Sequence, residues 1–143
     1  MTFLWFQVGY LRAIDDYPMN PIFKSSPTSI TPEILFDLEK QFFRISGRSM
    51  PEDSDGFYRP VKTWLTTNLE GSKFSGFFDV KLEYYNTGSF IRLMEVFNVL
   101  ADLNKGGCQI SVRWYYEAED PDSKDDGESF KDVVKLPFEV IQI

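Results

Sequence analysis

Hydrophobic and polar positions along this chain follow two different periods, and each change of period marks an element. Ile34, Phe36 and Leu38 are interleaved with Leu35 and Asp37, and after a polar turn at Glu39 and Lys40, Phe43 and Ile45 flank Arg44. Two short runs of period two joined by a polar turn predict a β-hairpin. Gly47-Arg48-Ser49-Met50-Pro51-Glu52-Asp53 breaks the alternation. Glycine tolerates unusual dihedrals and Pro51 pushes Met50 away from helix, so a loop is predicted. Phe57, Tyr58, Val61, Trp64, Leu65 and Leu69 then recur at helical spacing behind Asp53, Ser54 and Asp55 as cap candidates. Pro60 falls in the first turn, where it is tolerated.

After a turn at Gly71 and Ser72, Phe78, Val80, Leu82 and Tyr84 fall on one side of an extended run, with Asp79, Lys81, Glu83 and Tyr85 on the other. The run stops at Asn86-Thr87-Gly88-Ser89, and Phe90, Leu93, Met94, Phe97, Leu100 and Ala101 continue at helical spacing. Gly106-Gly107 closes that helix. Cys108, Ile110, Val112, Trp114 and Tyr116 then alternate with Gln109, Ser111, Arg113, Tyr115 and Glu117. Strand, helix and strand make a right-handed crossover unit. Both strands are apolar on one side only, which predicts helices over a single face of the sheet. Leu136, Phe138 and Val140 supply a last short strand. The predicted order is β-β-α-β-α-β, with room for a short helix near Phe130 to Val134, in a two-layer α/β sandwich. Residues 1–29 show no sustained period and carry Pro18, Pro21 and Pro27, so they read as an irregular N-terminal extension to a single domain over residues 30–143.

The strand-to-helix junction is the candidate site. Asn86, Thr87 and Ser89 lie where the first backbone N–H groups of a helix lack partners, so they are candidate caps and a negative group is favoured beside them. Capping alone accounts for such residues at most helix starts. Tyr85 and Tyr115, on the polar sides of their strands, are candidate anchors for a partner. Arg48 either ties down the acidic residues that follow it or contacts a partner. Trp64 and Trp114 lie on apolar faces and are assigned to the core.

Composition narrows the chemistry. With no histidine and a single cysteine, Cys108, the chain has no histidine-based triad, zinc cluster or internal disulfide, and no cofactor is expected. A formal charge of -7 argues against a nucleic-acid partner. No apolar run approaches the ~20 residues that cross a bilayer, and the first residues lack a signal-peptide pattern, so a cytoplasmic protein without a membrane partner is expected. Glu117, Glu119, Asp120, Asp122, Asp125, Asp126 and Glu128 surround one lysine. The stretch reads as a solvated, mobile, metal-free loop, because its spacing does not match a calcium loop.

Ile45-Ser46-Gly47-Arg48-Ser49-Met50-Pro51-Glu52, Phe57-Tyr58-Arg59-Pro60, Trp64-Leu65, Leu82-Glu83-Tyr84-Tyr85-Asn86-Thr87 and Trp114-Tyr115-Tyr116-Glu117, in this order, resemble the SiaC-type regulatory phosphoproteins. The resemblance runs from about Thr28 to the C-terminus. It implies a fold like that of anti-sigma factor antagonist (STAS-like) domains, with a small mixed sheet and helices mainly on one face. It also implies a partner switch rather than an enzyme. The resemblance further implies that a protein kinase phosphorylates the threonine of the Asn-Thr motif, here Thr87, and that a PP2C-like phosphatase reverses this. The unmodified form binds a target, in the family's best-known setting a diguanylate cyclase of cyclic-di-GMP signalling. After Thr87 the chain has Gly88-Ser89-Phe90-Ile91-Arg92 where the family usually has serines and then a lysine. Family members begin near Met19, so residues 1–18 are expected to be an extension or the product of an upstream start codon.

A competing reading is a small hydrolase or phosphotransferase that uses Glu52, Asp53 and Glu83, with Arg48 clamping an anion. A deep pocket gathering these side chains would favour it, whereas an open surface around Thr87 favours the binding module.

Overall fold

The computed structural model describes residues 20–143, and the expectations for residues 1–19 lie outside them. Strands β1 (Ile22–Ser25), β2 (Glu33–Asp37) and β3 (Phe42–Ser49) form an antiparallel meander. Three crossovers follow: α1 (Ser54–Leu69) to β4 (Ser75–Tyr85), α2 (Thr87–Lys105) to β5 (Gln109–Tyr116), and α3 (Pro121–Val133) to β6 (Phe138–Gln142). From β3 to β6 every pairing is parallel, and the sheet order is β1-β2-β3-β4-β5-β6. Because each right-handed crossover advances one strand in the same direction, all three helices come to lie on one face. This is the expected two-layer mixed α/β architecture.

The core lies between the layers. Phe36, Phe43, Phe78 and Trp64 interlock at ring distances of 5.1–6.1 Å on one side. Phe97, Trp114, Phe130 and Phe138 do the same at 4.9–6.3 Å on the other. The uncovered face is polar and paired: Arg113 grips Asp79 at 2.6 and 2.9 Å and lies 3.9 Å from the centre of the Phe77 ring. None of the described helices is long and apolar enough to cross a membrane.

Two expectations are corrected. Ile22–Ser25, inside the stretch read as irregular, is strand β1, and Phe23 packs on Phe36 and Trp64. The acidic stretch read as a mobile loop, with a helix only near residues 130–134, is mostly α3. Asp120 caps it by accepting from the Ser123 N–H at 3.1 Å, and Pro121 occupies the first turn. Its buried residues are Ser123, Gly127 and Phe130. They are spaced as one helical face, but two are small or polar, so no hydrophobic period announced the helix.

Candidate functional site

The junction between β4 and α2 is assembled by residues far apart in sequence. Gly47, with φ of 101°, sits at a register shift between β3 and β4. Gly47 pairs with Leu82, but Arg48 pairs with Tyr84 and Ser49 with Tyr85. One residue of β4 is therefore left over, and the side-chain alternation slips by one. Glu83 and Tyr84 are both exposed, and Tyr85 turns onto the helix side instead of the polar face. Its ring meets Trp114 edge-on at 5.6 Å, and its hydroxyl donates to the Asp126 carboxylate of α3 at 2.7 Å. Burial first, and then that bond, raise the Tyr85 pKa and keep the phenol protonated.

Asn86 is the N-cap of α2, accepting from the Ser89 N–H at 2.9 Å. Thr87 follows as the first helical residue, exposed, and its hydroxyl has no hydrogen-bond partner among the described residues. Ser89 is fully buried. Its hydroxyl donates to the Ser49 carbonyl at 2.8 Å and lies 2.7 Å from Ser49 Oγ, which lies 2.6 Å from Tyr58 Oη. Each hydroxyl has one proton, so the chain runs from Tyr58 to Ser49 to Ser89 to the carbonyl. The Asn86 N–H also donates to that carbonyl, at 3.1 Å. This network fixes the start of α2 against the end of β3.

Tyr85, Asn86, Thr87, Phe90 and Asp126 line one open depression of about 280 Å³. Of the predicted site residues, the structure thus brings Tyr85, Asn86 and Thr87 together. Ser89 lies beneath them and is out of a partner's reach, because its offset of three from the N-cap turns it inward. Arg48 is exposed at the neighbouring strand end, 5.3 Å over the Tyr84 ring. Tyr115 is on the opposite face, in a depression of about 360 Å³ shared with Arg44, Lys81 and Glu83. Tyr85 and Tyr115 consequently form no exposed pair. Asp126, Phe90 and Ser49 belong to the site and were missed. Only the fold brings them there.

The carboxylates of the hydrolase reading are not gathered. Asp53 caps α1 by accepting from the Gly56 N–H at 3.0 Å, while Glu83 lies on the uncovered face of the sheet. Fold and site together define a small α/β module with an exposed threonine at a strand-to-helix junction. Comparison with known proteins gives the family. Residues 25–143 match the model of the SiaC family regulatory phosphoproteins, and the chain belongs to that family.

An uncharacterised protein of Pseudomonas aeruginosa strain UCBPP-PA14 is 27% identical over 113 residues, which are 79% of this chain and 90% of that one. The structure of apo-SiaC from Pseudomonas aeruginosa superposes with a TM-score of 0.77 at 26% identity, covering 84% of this chain and 98% of that chain. SiaC in the crystal structure of the diguanylate cyclase SiaD in complex with its activator SiaC, also from Pseudomonas aeruginosa, gives 0.78 at 26%, covering 85% and 99%.

Proposed function

We propose that this protein is a non-enzymatic, cytoplasmic partner switch in which phosphorylation of Thr87 controls binding to a diguanylate cyclase. The observation that carries the reading is the exposed, unengaged hydroxyl of Thr87 at the first position of α2, next to an Asn86 that already caps the helix. A protein kinase transfers the terminal phosphoryl group of a nucleoside triphosphate to Thr87 Oγ1. A P–O bond forms there as the bond to the leaving diphosphate breaks, and the hydroxyl proton passes to a base on the kinase. A PP2C-like phosphatase directs water onto the phosphorus, releasing inorganic phosphate and restoring the hydroxyl.

The physical effect is charge. The phosphate adds about 1.5 to 2 negative charges at a helix N-terminus that tolerates them, so the fold survives. The same charge on a surface fitted to a neutral hydroxyl must be desolvated on binding and is rejected. The exposed Thr87 and Arg48 and the half-buried Asn86 are the contacts assigned to the partner. The supporting likeness is to a SiaC that activates and complexes a diguanylate cyclase. Phosphopeptide mapping of the protein isolated from its own host tests the modification. Phosphate on Thr87, removable by a PP2C-like phosphatase, is expected; a protein that is unmodified at Thr87 under every growth condition contradicts the reading.

A further inference from the structure

Helix α3 is docked through one narrow stripe. Trp114 lies beneath it, and its indole N–H donates to the Ser123 carbonyl at 3.0 Å. Gly127 allows the ring so close that a β-carbon there would lie 2.6 Å from Trp114 Cδ1. Phe130 stacks on Phe90 of α2 at 4.5 Å. The exposed side of the helix is charged, with Asp122, Asp125 and Asp132 in solvent, so its hold on the sheet runs through this stripe and the Phe97 and Phe138 rings around Phe130. Next to this stripe, Asp126 accepts from the Tyr85 hydroxyl at 2.7 Å, which ties α3 to the strand that leads into Thr87.

We infer that the Tyr85–Asp126 tie senses charge on Thr87: a phosphate there takes the Tyr85 hydrogen bond from Asp126, repels the Asp126 carboxylate, and loosens α3 from the sheet. This rests on the reading of Thr87 as the phosphorylated residue. Thr87 and Asp126 line the same depression, so a phosphate on Thr87 would share it with the Asp126 carboxylate. The Tyr85 hydroxyl remains a donor, and a phosphate oxygen is an acceptor at least as strong as a carboxylate. The phosphate is anchored by free N–H groups in the first turn of α2, whereas Asp126 is a half-buried carboxylate on a helix docked along a single stripe. The Asp126 side therefore yields. Phosphorylation is then read at two places, the Thr87 surface and the acidic outer face of α3.

Hydrogen exchange on the chain carrying phosphothreonine at position 87, introduced during translation, tests this. Amides of α3 are expected to exchange on the order of 10-fold faster in the phosphorylated chain than in the unmodified one, while the strands stay protected. Asp126→Asn keeps an acceptor but removes the charge, and should reduce that acceleration to less than about 3-fold. Tyr85→Phe should speed exchange of α3 without any phosphate. Unchanged α3 protection on phosphorylation, full acceleration in Asp126→Asn, or full protection in Tyr85→Phe would each overturn the inference. If phosphorylation abolishes cyclase binding while α3 stays protected, the tie is refuted and the Thr87 switch stands. If α3 loosens and binding persists, the switch is refuted and the tie stands.

Discussion

Asn86 and Thr87 divide between them two tasks that the residue types alone assign to either. The Asn86 carboxamide accepts from Ser89 and caps α2, which leaves the Thr87 hydroxyl without a structural duty. Asn86→Ala should therefore lower stability by about 1 kcal/mol, within the usual range of cap losses. Thr87→Ala should change it by less than about 0.5 kcal/mol, as surface changes away from a cap do. Urea midpoints of the two variants check this, and the reverse ranking would contradict the assignment. Tyr58 makes a second prediction. Burial, only partly offset by its bond to Ser49, raises its pKa to about 12, from about 10 in an unfolded chain. A pKa raised in the fold contributes stability that is complete below pH ~10 and is lost as pH rises toward ~12. Tyrosinate absorbance and unfolding followed together should show the buried phenols of Tyr58 and Tyr85 ionising only as the fold is lost. A Tyr58 that titrates near 10 in the native protein would refute the buried network. Thr87 was legible because polar residues at a change of period are visible in sequence. The burial of Ser89 was not, because it depends on Ser49, 40 residues earlier.

Among elements, those with a clean hydrophobic period were legible, and the two without one were not. The hairpin, both long helices and the parallel strands fall where alternation and helical spacing place them. Strand β1 was hidden because it has only four residues among prolines, and its strand character comes from pairing with β2. Helix α3 was hidden because its inward face is Ser123, Gly127 and Phe130. The direction of Tyr85 was hidden by the register slip at Gly47, since strict alternation puts that ring on the wrong face. Gly127 gives the test at this scale. Alanine has the higher helix propensity by about 1 kcal/mol, yet its β-carbon would press on Trp114. Gly127→Ala should nevertheless destabilise by about 1–3 kcal/mol, as overpacked positions do, and should alter the near-ultraviolet signal of the tryptophans. A gain in thermal stability would show that α3 does not dock on Trp114.

The whole molecule separates support from presentation. Three helices on one face bury the aromatic core, and the opposite face is uncovered and carries the paired charges of Arg113 with Asp79 and Arg44 with Glu33. Arg113 and Asp79 are the centre of that face, and the Asp79 side chain is only 13% exposed. Asp79→Ala would leave a half-buried guanidinium without its partner and should cost about 1–3 kcal/mol, read from urea midpoints. A loss no larger than that of an exposed pair would mean the Arg113–Asp79 pair is only surface decoration.

The core thus positions Thr87 at the start of α2, just beyond β4, where its charge state can be changed without unfolding the sheet. The most direct test of that claim is calorimetric titration of a cognate diguanylate cyclase with four forms of the protein: unmodified, Thr87→Ala, Thr87→Glu and phosphothreonine-87, each shown to be folded by its thermal melt. Unmodified protein and Thr87→Ala should bind alike. The two acidic forms should bind at least ~10-fold more weakly, about 1.4 kcal/mol, with their folds intact. Equal affinity of all four forms for the cyclase would contradict the account and reduce Thr87 to the first residue of a helix.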